Sequence, residues 1–195
     1  MRKNNKETVI IFGFSGSGKT TLADRLGKRL GLKVIHPSGI LRNILLGKNP
    51  VATKTISNRG FWESETGRKM LKGRLNDDIP PDMLSDKIIL AEAKKGNVII
   101  DSWSLPWLYS GGIKIYLMAP LGIRAARVAQ RSRLSLSMAR EIVAEKDSDT
   151  RKLFKKIYGF DIVRDMNVFD LKINTTNLTK NQIEKTATQF LLRKQ

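Results

Sequence analysis

The chain contains no cysteine. Disulfide frameworks, thiolate zinc sites, iron–sulfur clusters and cysteine nucleophiles are thereby excluded. A single histidine, His36, leaves no His-rich metal site and makes Ser-His-Asp hydrolysis a poor fit. Beside Pro37, it reads as a capping or packing residue. Aromatics are only 7% of the sequence, and 15 glycines and 6 prolines in 195 residues exclude collagenous and low-complexity classes. The apolar stretch Val9 to Phe14 is too short for a secretory leader, and no run approaches the roughly 20 apolar residues of a membrane span. These absences point to a cytoplasmic protein with no membrane partner.

Positive charge, by contrast, is abundant: 36 Lys and Arg against 18 Asp and Glu, a formal net charge of +18. The excess is spread evenly, with 19 basic and 9 acidic residues in 1–100 and 17 and 9 in 101–195. Such a field suits polyanionic partners, nucleotides first and RNA as a second possibility. The length corresponds to about one domain, residues 1–195, and 41% apolar residues suffice for a core.

Short β-branched runs alternate with helical patterns, which predicts an α/β three-layer fold around a five-stranded, mainly parallel sheet. Strands are expected at Val9–Phe12, Val34–Ile35, Asn97–Asp101, Ile113–Met118 and Asp170–Ile173. Leu22, Leu26 and Leu30 form a helical stripe closed by Gly31, and Ile40 to Leu46 a short helix. Residues 49–76 read as a small helical insertion carrying Phe61-Trp62 and Met70-Leu71. Pro80-Pro81 opens a helix whose apolar face is expected at Leu84, Ile88 and Ala91. Thr179 and Gln182 form a capping box before the last helix.

The strongest motif is Gly13-Phe14-Ser15-Gly16-Ser17-Gly18-Lys19-Thr20, which fits G-x-x-x-x-G-K-[ST] between a strand and a helix. A chance match in this length is on the order of one per cent. Its glycines turn backbone N–H groups of Gly13, Ser15, Gly16, Ser17, Gly18, Lys19, Thr20 and Thr21 toward phosphate oxygens, aided by the helix N-terminus. Lys19 reaches the β- and γ-phosphates of ATP, and the Thr20 hydroxyl ligates Mg²⁺. Asp101, at a strand's carboxyl end, is placed to hold Mg²⁺ through water or to bind an acceptor base. Arg124, Arg127 and Arg131 share one helical face, and 124–156 carries ten basic and four acidic residues. That clustering reads as a lid that neutralises phosphoryl charge. Arg42 is placed to clamp an acceptor phosphate. Trp62, Trp103, Trp107 and Tyr109 could stack on a base, with packing as the default for each.

In this order, phosphate loop, acceptor-side helix with Arg42, strand-end Asp101 and arginine helix, the chain resembles the nucleoside monophosphate kinases. Among them it is most similar to the short archaeal-type cytidylate kinases. The likeness runs through Gly16 to Ala23, Lys114 to Leu117, Ala119-Pro120-Leu121, Tyr158-Gly159-Phe160-Asp161 and Ile173-Asn174-Thr175. It implies Mg²⁺-dependent phosphoryl transfer from ATP to CMP or dCMP, an acceptor-binding insertion near 38–80 and a lid near 124–156. Lys19, Arg124, Arg127 and Arg131 would be catalytic, with Arg42, Asp101 and Trp103 on the acceptor. The family usually follows the strand-end Asp with Gly-Arg, where this chain has Ser102-Trp103. It has Gly-Asp where this chain has Ser38-Gly39, and lid Arg-Glu and Arg-Tyr pairs where this chain has Glu145-Lys146 and Leu153-Phe154. These departures keep two alternatives open: a kinase of another small acceptor, or an ATP-binding RNA- or ribosome-associated protein.

Overall fold

The computed structural model describes residues 7–52, Thr55 and 60–194; the Met1-Arg2-Lys3 start and part of the 49–76 segment lie outside them. Strand β1 (Thr8–Phe12) is buried along its whole length, which is why it reads as an unbroken apolar run. It lies mid-sheet in the order β2-β3-β1-β4-β5, with β2 at Lys33–Ile35, β3 at Val98–Ile100, β4 at Ile113–Met118 and β5 at Leu171–Asn174. Every pairing is parallel. Ile10 is opposite Ile100 and Phe12 opposite Tyr116, so the segments starting at Gly13 and Asp101 leave the sheet at the same carboxyl edge. That shared edge is what brings distant motifs together.

Helices α1 (Lys19–Leu30) and α8 (Lys180–Lys194) pack on one face, where Val9 and Ile11 meet Leu22, Leu26, Ile183 and Leu191. The opposite face packs Ile10 and Ile100 against Ile40 of α2 (Pro37–Leu45), Ile89 of α4 (Pro81–Lys95) and Leu105 of α5 (Leu105–Leu108). Each fully buried side chain of this kind contributes about 1.5–3 kcal/mol. The layered architecture is the one expected. Between α2 and α4 lie a 3₁₀ turn, Phe61–Glu63, and α3 (Glu65–Gly73). After β4 come α6 (Leu121–Ser132) and α7 (Leu136–Tyr158), which pack through Val128, Ala139 and Val143. The capping box is present, with Gln182 N–H donating to Thr179 Oγ1 at 3.3 Å and Thr179 N–H to Gln182 Oε1 at 2.9 Å.

One expectation fails at two of its three positions, since of the expected α4 face only Ile88 packs against the core. Leu84 is 48% exposed and Ala91 is exposed, whereas Asp82, Ser85, Asp86, Ile89 and Ala93 face inward. The first turns of α4 border a polar cleft, so apolar spacing there selects the outer face. Strand β5 also begins one residue later than expected, because the Asp170 carboxylate turns back to accept from Lys114 N–H at 2.8 Å.

Candidate active site

The Gly13–Thr20 loop joins β1 to α1 and opens on a cleft of about 730 Å³. Gly16 has φ +80, and a Cβ there would sit 2.4 Å from the Arg124 carbonyl oxygen; only glycine fits. Gly18 is the N-cap of α1 and offers no side-chain cap, so the first-turn N–H groups stay available to an anion. Ser17 Oγ is buried without a hydrogen-bond partner. Ser15, Gly16, Ser17, Gly18, Lys19, Thr20 and Thr21 all line the cleft, whereas Gly13 lies below it and accepts from the Lys19 ammonium through its carbonyl.

Lys19 also donates to the Phe14 carbonyl at 3.4 Å and lies 4.9 Å over the Trp103 ring. Burial lowers its pKa to about 7, with the Asp101 charge pulling the other way. A bound phosphate would restore the full charge. Thr20 Oγ1 donates to Asp101 Oδ2 at 2.6 Å, so the two expected oxygen ligands share one place. Among the described residues no three His, Asp or Glu side chains cluster as a metal cage. A hydroxyl and a single carboxylate beside a phosphate cradle fit Mg²⁺, which favours a few oxygen ligands completed by water and substrate phosphates.

His36 is buried at the N-cap position of α2, as a packing residue would be. Its side chain makes no cap to α2. Instead, Nδ1 is 3.0 Å from Asp101 Oδ1 and Nε2 is 3.0 Å from Asp24 Oδ1. Burial lowers its pKa, and the hydrogen bonds and charges of Asp101 and Asp24 more than offset this, raising it overall. The imidazole thus fixes the orientation of Asp101.

The three arginines of α6 separate in role. Arg124 is buried, and its guanidinium donates to Ser15 O at 3.1 Å, Ala119 O at 3.0 Å and Asp147 Oδ2 at 2.6 Å. Arg127 lines the cleft and donates to Thr175 O and Oγ1 at 2.6 and 3.0 Å. Arg131 reaches across to Glu63 at 2.8 Å. Arg42 is not among the cleft-lining residues; its guanidinium stacks on Phe61, 4.5 Å from the ring centroid. Trp62 and Trp103 line the cleft, whereas Trp107 packs on Phe12 at 5.0 Å and Tyr109 on the β2–β3 side of the core.

The wall opposite the phosphate loop was missed by apolar patterning. Arg74 donates to Asp82 Oδ1 at 2.5 Å and to Thr150 Oγ1 at 3.0 Å. Asp86 accepts from the Ser104 hydroxyl at 2.5 Å and from Tyr158 OH at 2.8 Å. Asp82 Oδ2 is buried without a partner. The only sequence signal was a polar i, i+3, i+4 stripe, Asp82, Ser85 and Asp86, on a helix. Burial pushes the Asp86 carboxyl from an ordinary 3.8 up to about 7, despite the stabilising hydroxyls, with Asp82 adding repulsion and Arg74 attraction. Between pH 4 and 7 the folded chain therefore holds a proton that the unfolded chain has lost, and stability falls as pH rises. Asp86→Asn should remove this penalty, improving on wild type at pH 8 relative to pH 5 by up to about 3 kcal/mol. Denaturant melts at the two pH values check it.

A phosphate cradle, an oxygen-ligand pair and a facing polar wall in one cleft define a P-loop phosphotransferase. Comparison with known proteins refines the class. The family model described as "Cytidylate kinase-like family" matches residues 8–177. The cytidylate kinase of Ignicoccus hospitalis is 31% identical over 94% of this chain and 98% of that protein. That of Saccharolobus islandicus is 34% identical over 94% and 89%. The chain belongs to the cytidylate kinase-like family. A shikimate kinase from Acinetobacter baumannii shares the fold at 14% identity, with a TM-score of 0.55 over 97% of this chain and 94% of its own. Among the described residues no helix is long and apolar enough to cross a membrane.

Proposed function

We propose that the chain transfers the γ-phosphoryl group of ATP to CMP or dCMP, giving ADP and CDP or dCDP. The observation that carries this reading is the continuous cleft. Its one wall is the phosphate loop with Thr20 and Asp101, and its other wall is Arg74, Asp82, Asp86 and Ser104. An unpartnered buried carboxylate oxygen at Asp82 offers an acceptor for an exocyclic amine, and the Arg74 guanidinium offers donors for ring carbonyl and ring nitrogen. A cytosine edge presents that set.

In this reading the loop N–H groups and Lys19 hold the β- and γ-phosphates, and Thr20 and Asp101 hold Mg²⁺. The ion would neutralise phosphate charge when bound. An oxygen of the acceptor's phosphate forms a bond to the γ-phosphorus as the β–γ bridging bond breaks and ADP leaves; no group on the protein is modified. Arg127 and Arg131 face the phosphates from the lid, residues 124–156, while Arg124 acts from beneath by holding the loop. Segment 38–80 is the acceptor-binding insertion. Arg42 joins the acceptor's phosphate by leaving Phe61, and Trp103 keeps water from the Lys19 ammonium.

A coupled ADP-release assay with Mg-ATP and CMP, dCMP, UMP, AMP or GMP tests the proposal. Turnover with CMP or dCMP at least about 10-fold above the others is expected, since losing one buried hydrogen-bonded match costs about 1–3 kcal/mol. ATP binding without turnover on any monophosphate would contradict it and point to another small acceptor or to RNA.

A further inference from the structure

We infer that Lys146 is the cation that meets the phosphoryl group in transit between donor and acceptor. This inference rests on the phosphoryl-transfer reading above. Lys146, Thr150 and Phe154 stand one turn apart on α7, and all three line the cleft. Arg140, Glu141, Ala144, Lys152, Lys155 and Lys156 of the same helix are exposed, and Ala139, Ile142, Val143 and Leu153 are buried in the packing, so the stripe of Lys146, Thr150 and Phe154 is the one turned into the site. Helical spacing alone puts the ammonium there.

Two features separate Lys146 from the other cations of that wall. Arg74 is committed to Asp82 and Arg131 to Glu63. Lys146 has no carboxylate within 4.0 Å and no hydrogen bond among the described residues; its Nζ lies 6.0 Å from the centroid of the Trp62 ring. Its electrostatic neighbours come from both sides of the cleft. Lys19 and Asp147 belong to the phosphate-loop side, Glu63 and Arg74 to the opposite side, and Arg131 reaches across from α6 to Glu63. The ammonium therefore faces the cleft in which, in the proposed reaction, donor and acceptor meet and charge spreads over the transferred group's oxygens.

Burial lowers the Lys146 pKa, a cost that a structural lysine would avoid by turning to solvent. An arriving phosphoryl group reverses that cost. The interaction grows as the group carries charge away from both oxygens, so it acts on turnover more than on ATP affinity. A lysine does this as a point charge rather than a fork.

The test pairs Lys146→Met with Lys146→Arg, measuring kcat, both KM values, and binding of ADP alone against ADP with aluminium fluoride and CMP. Lys146→Met should lower kcat about 10²–10³-fold. The KM for ATP should stay within about 3-fold, and Lys146→Arg should recover most of the loss. The methionine variant should bind ADP alone as wild type does and bind the aluminium fluoride complex more weakly. Thermal melts should show no loss of stability, since a desolvated charge has been removed. Wild-type turnover retained by Lys146→Met, or an equal loss in both binding measurements, overturns the inference while leaving the reaction intact. A wild-type chain inactive with every monophosphate overturns the reaction and the inference together.

Discussion

Replacing Lys19 with Ala should cut turnover by about 10³-fold or more and leave the fold standing. The ammonium is the buried positive charge of the phosphate loop, held at the Gly13 and Phe14 carbonyls with its pKa down near 7. Without phosphate those carbonyls are its hydrogen-bond acceptors, and Asp101 is the main charge that favours its protonated form. Removing it deletes an interaction needed at the β- and γ-phosphates and also deletes a desolvated cation. Activity and stability should part company. Steady-state kinetics beside a thermal melt will show this, with kcat falling steeply and the melting temperature unchanged or raised. A parallel fall in both would mean that Lys19 chiefly holds the loop together.

Arg124→Met should do the opposite and destabilise the chain by about 3–5 kcal/mol. Its guanidinium is buried and satisfies Ser15 O, Ala119 O and the Asp147 carboxylate at once. Asp147 is only 15% exposed at its side chain, and Ser15 N–H also donates to it at 3.4 Å. Methionine fills much of the space and leaves that carboxylate buried and unpaired. The double variant Arg124→Met/Asp147→Asn should recover more than half of the loss, because the stranded charge is gone. Guanidinium melts of the three proteins separate this from simple loss of packing, in which Asp147→Asn would restore nothing.

These two residues show where sequence was and was not sufficient. The phosphate loop could be read outright, because glycine spacing, the Lys-Thr pair and the strand-to-helix setting all express one local geometry. The sheet could be read because buried parallel strands are continuous apolar runs. Roles within the arginine helix could not. Arg124, Arg127 and Arg131 share a face at helical spacing, but their partners Asp147, Thr175 and Glu63 come from three distant segments. The two family-specific segments are also clearer in space. Thr175 anchors Arg127, Tyr158 bonds Asp86, and Asp161 takes a two-pronged hydrogen bond from Arg151 at 2.7 and 2.6 Å.

The wall facing the phosphate loop was hidden for a different reason. Reading α4 by its leucines assumes that a helix buries its apolar side, and that holds for Ile89 and Ala93 near its end. At its beginning the interior is a cleft, and Asp82, Ser85 and Asp86 face it. His36 was similarly opaque: its partners Asp24 and Asp101 lie 12 residues before it and 65 after it, and only folding joins them. The departures at Ser102 and Trp103 have local roles. Ser102 Oγ accepts from the Ser104 and Leu105 N–H groups at 3.2 and 3.1 Å, and Ser104 in turn serves Asp86.

The most direct measurement is a single-turnover reaction with ATP labelled at the γ-phosphoryl group, Mg²⁺ and CMP. Direct transfer predicts that the label appears in the β-position of CDP at the rate ADP forms, with none released as inorganic phosphate on that timescale. Label appearing only as inorganic phosphate, unaffected by CMP, would contradict the account.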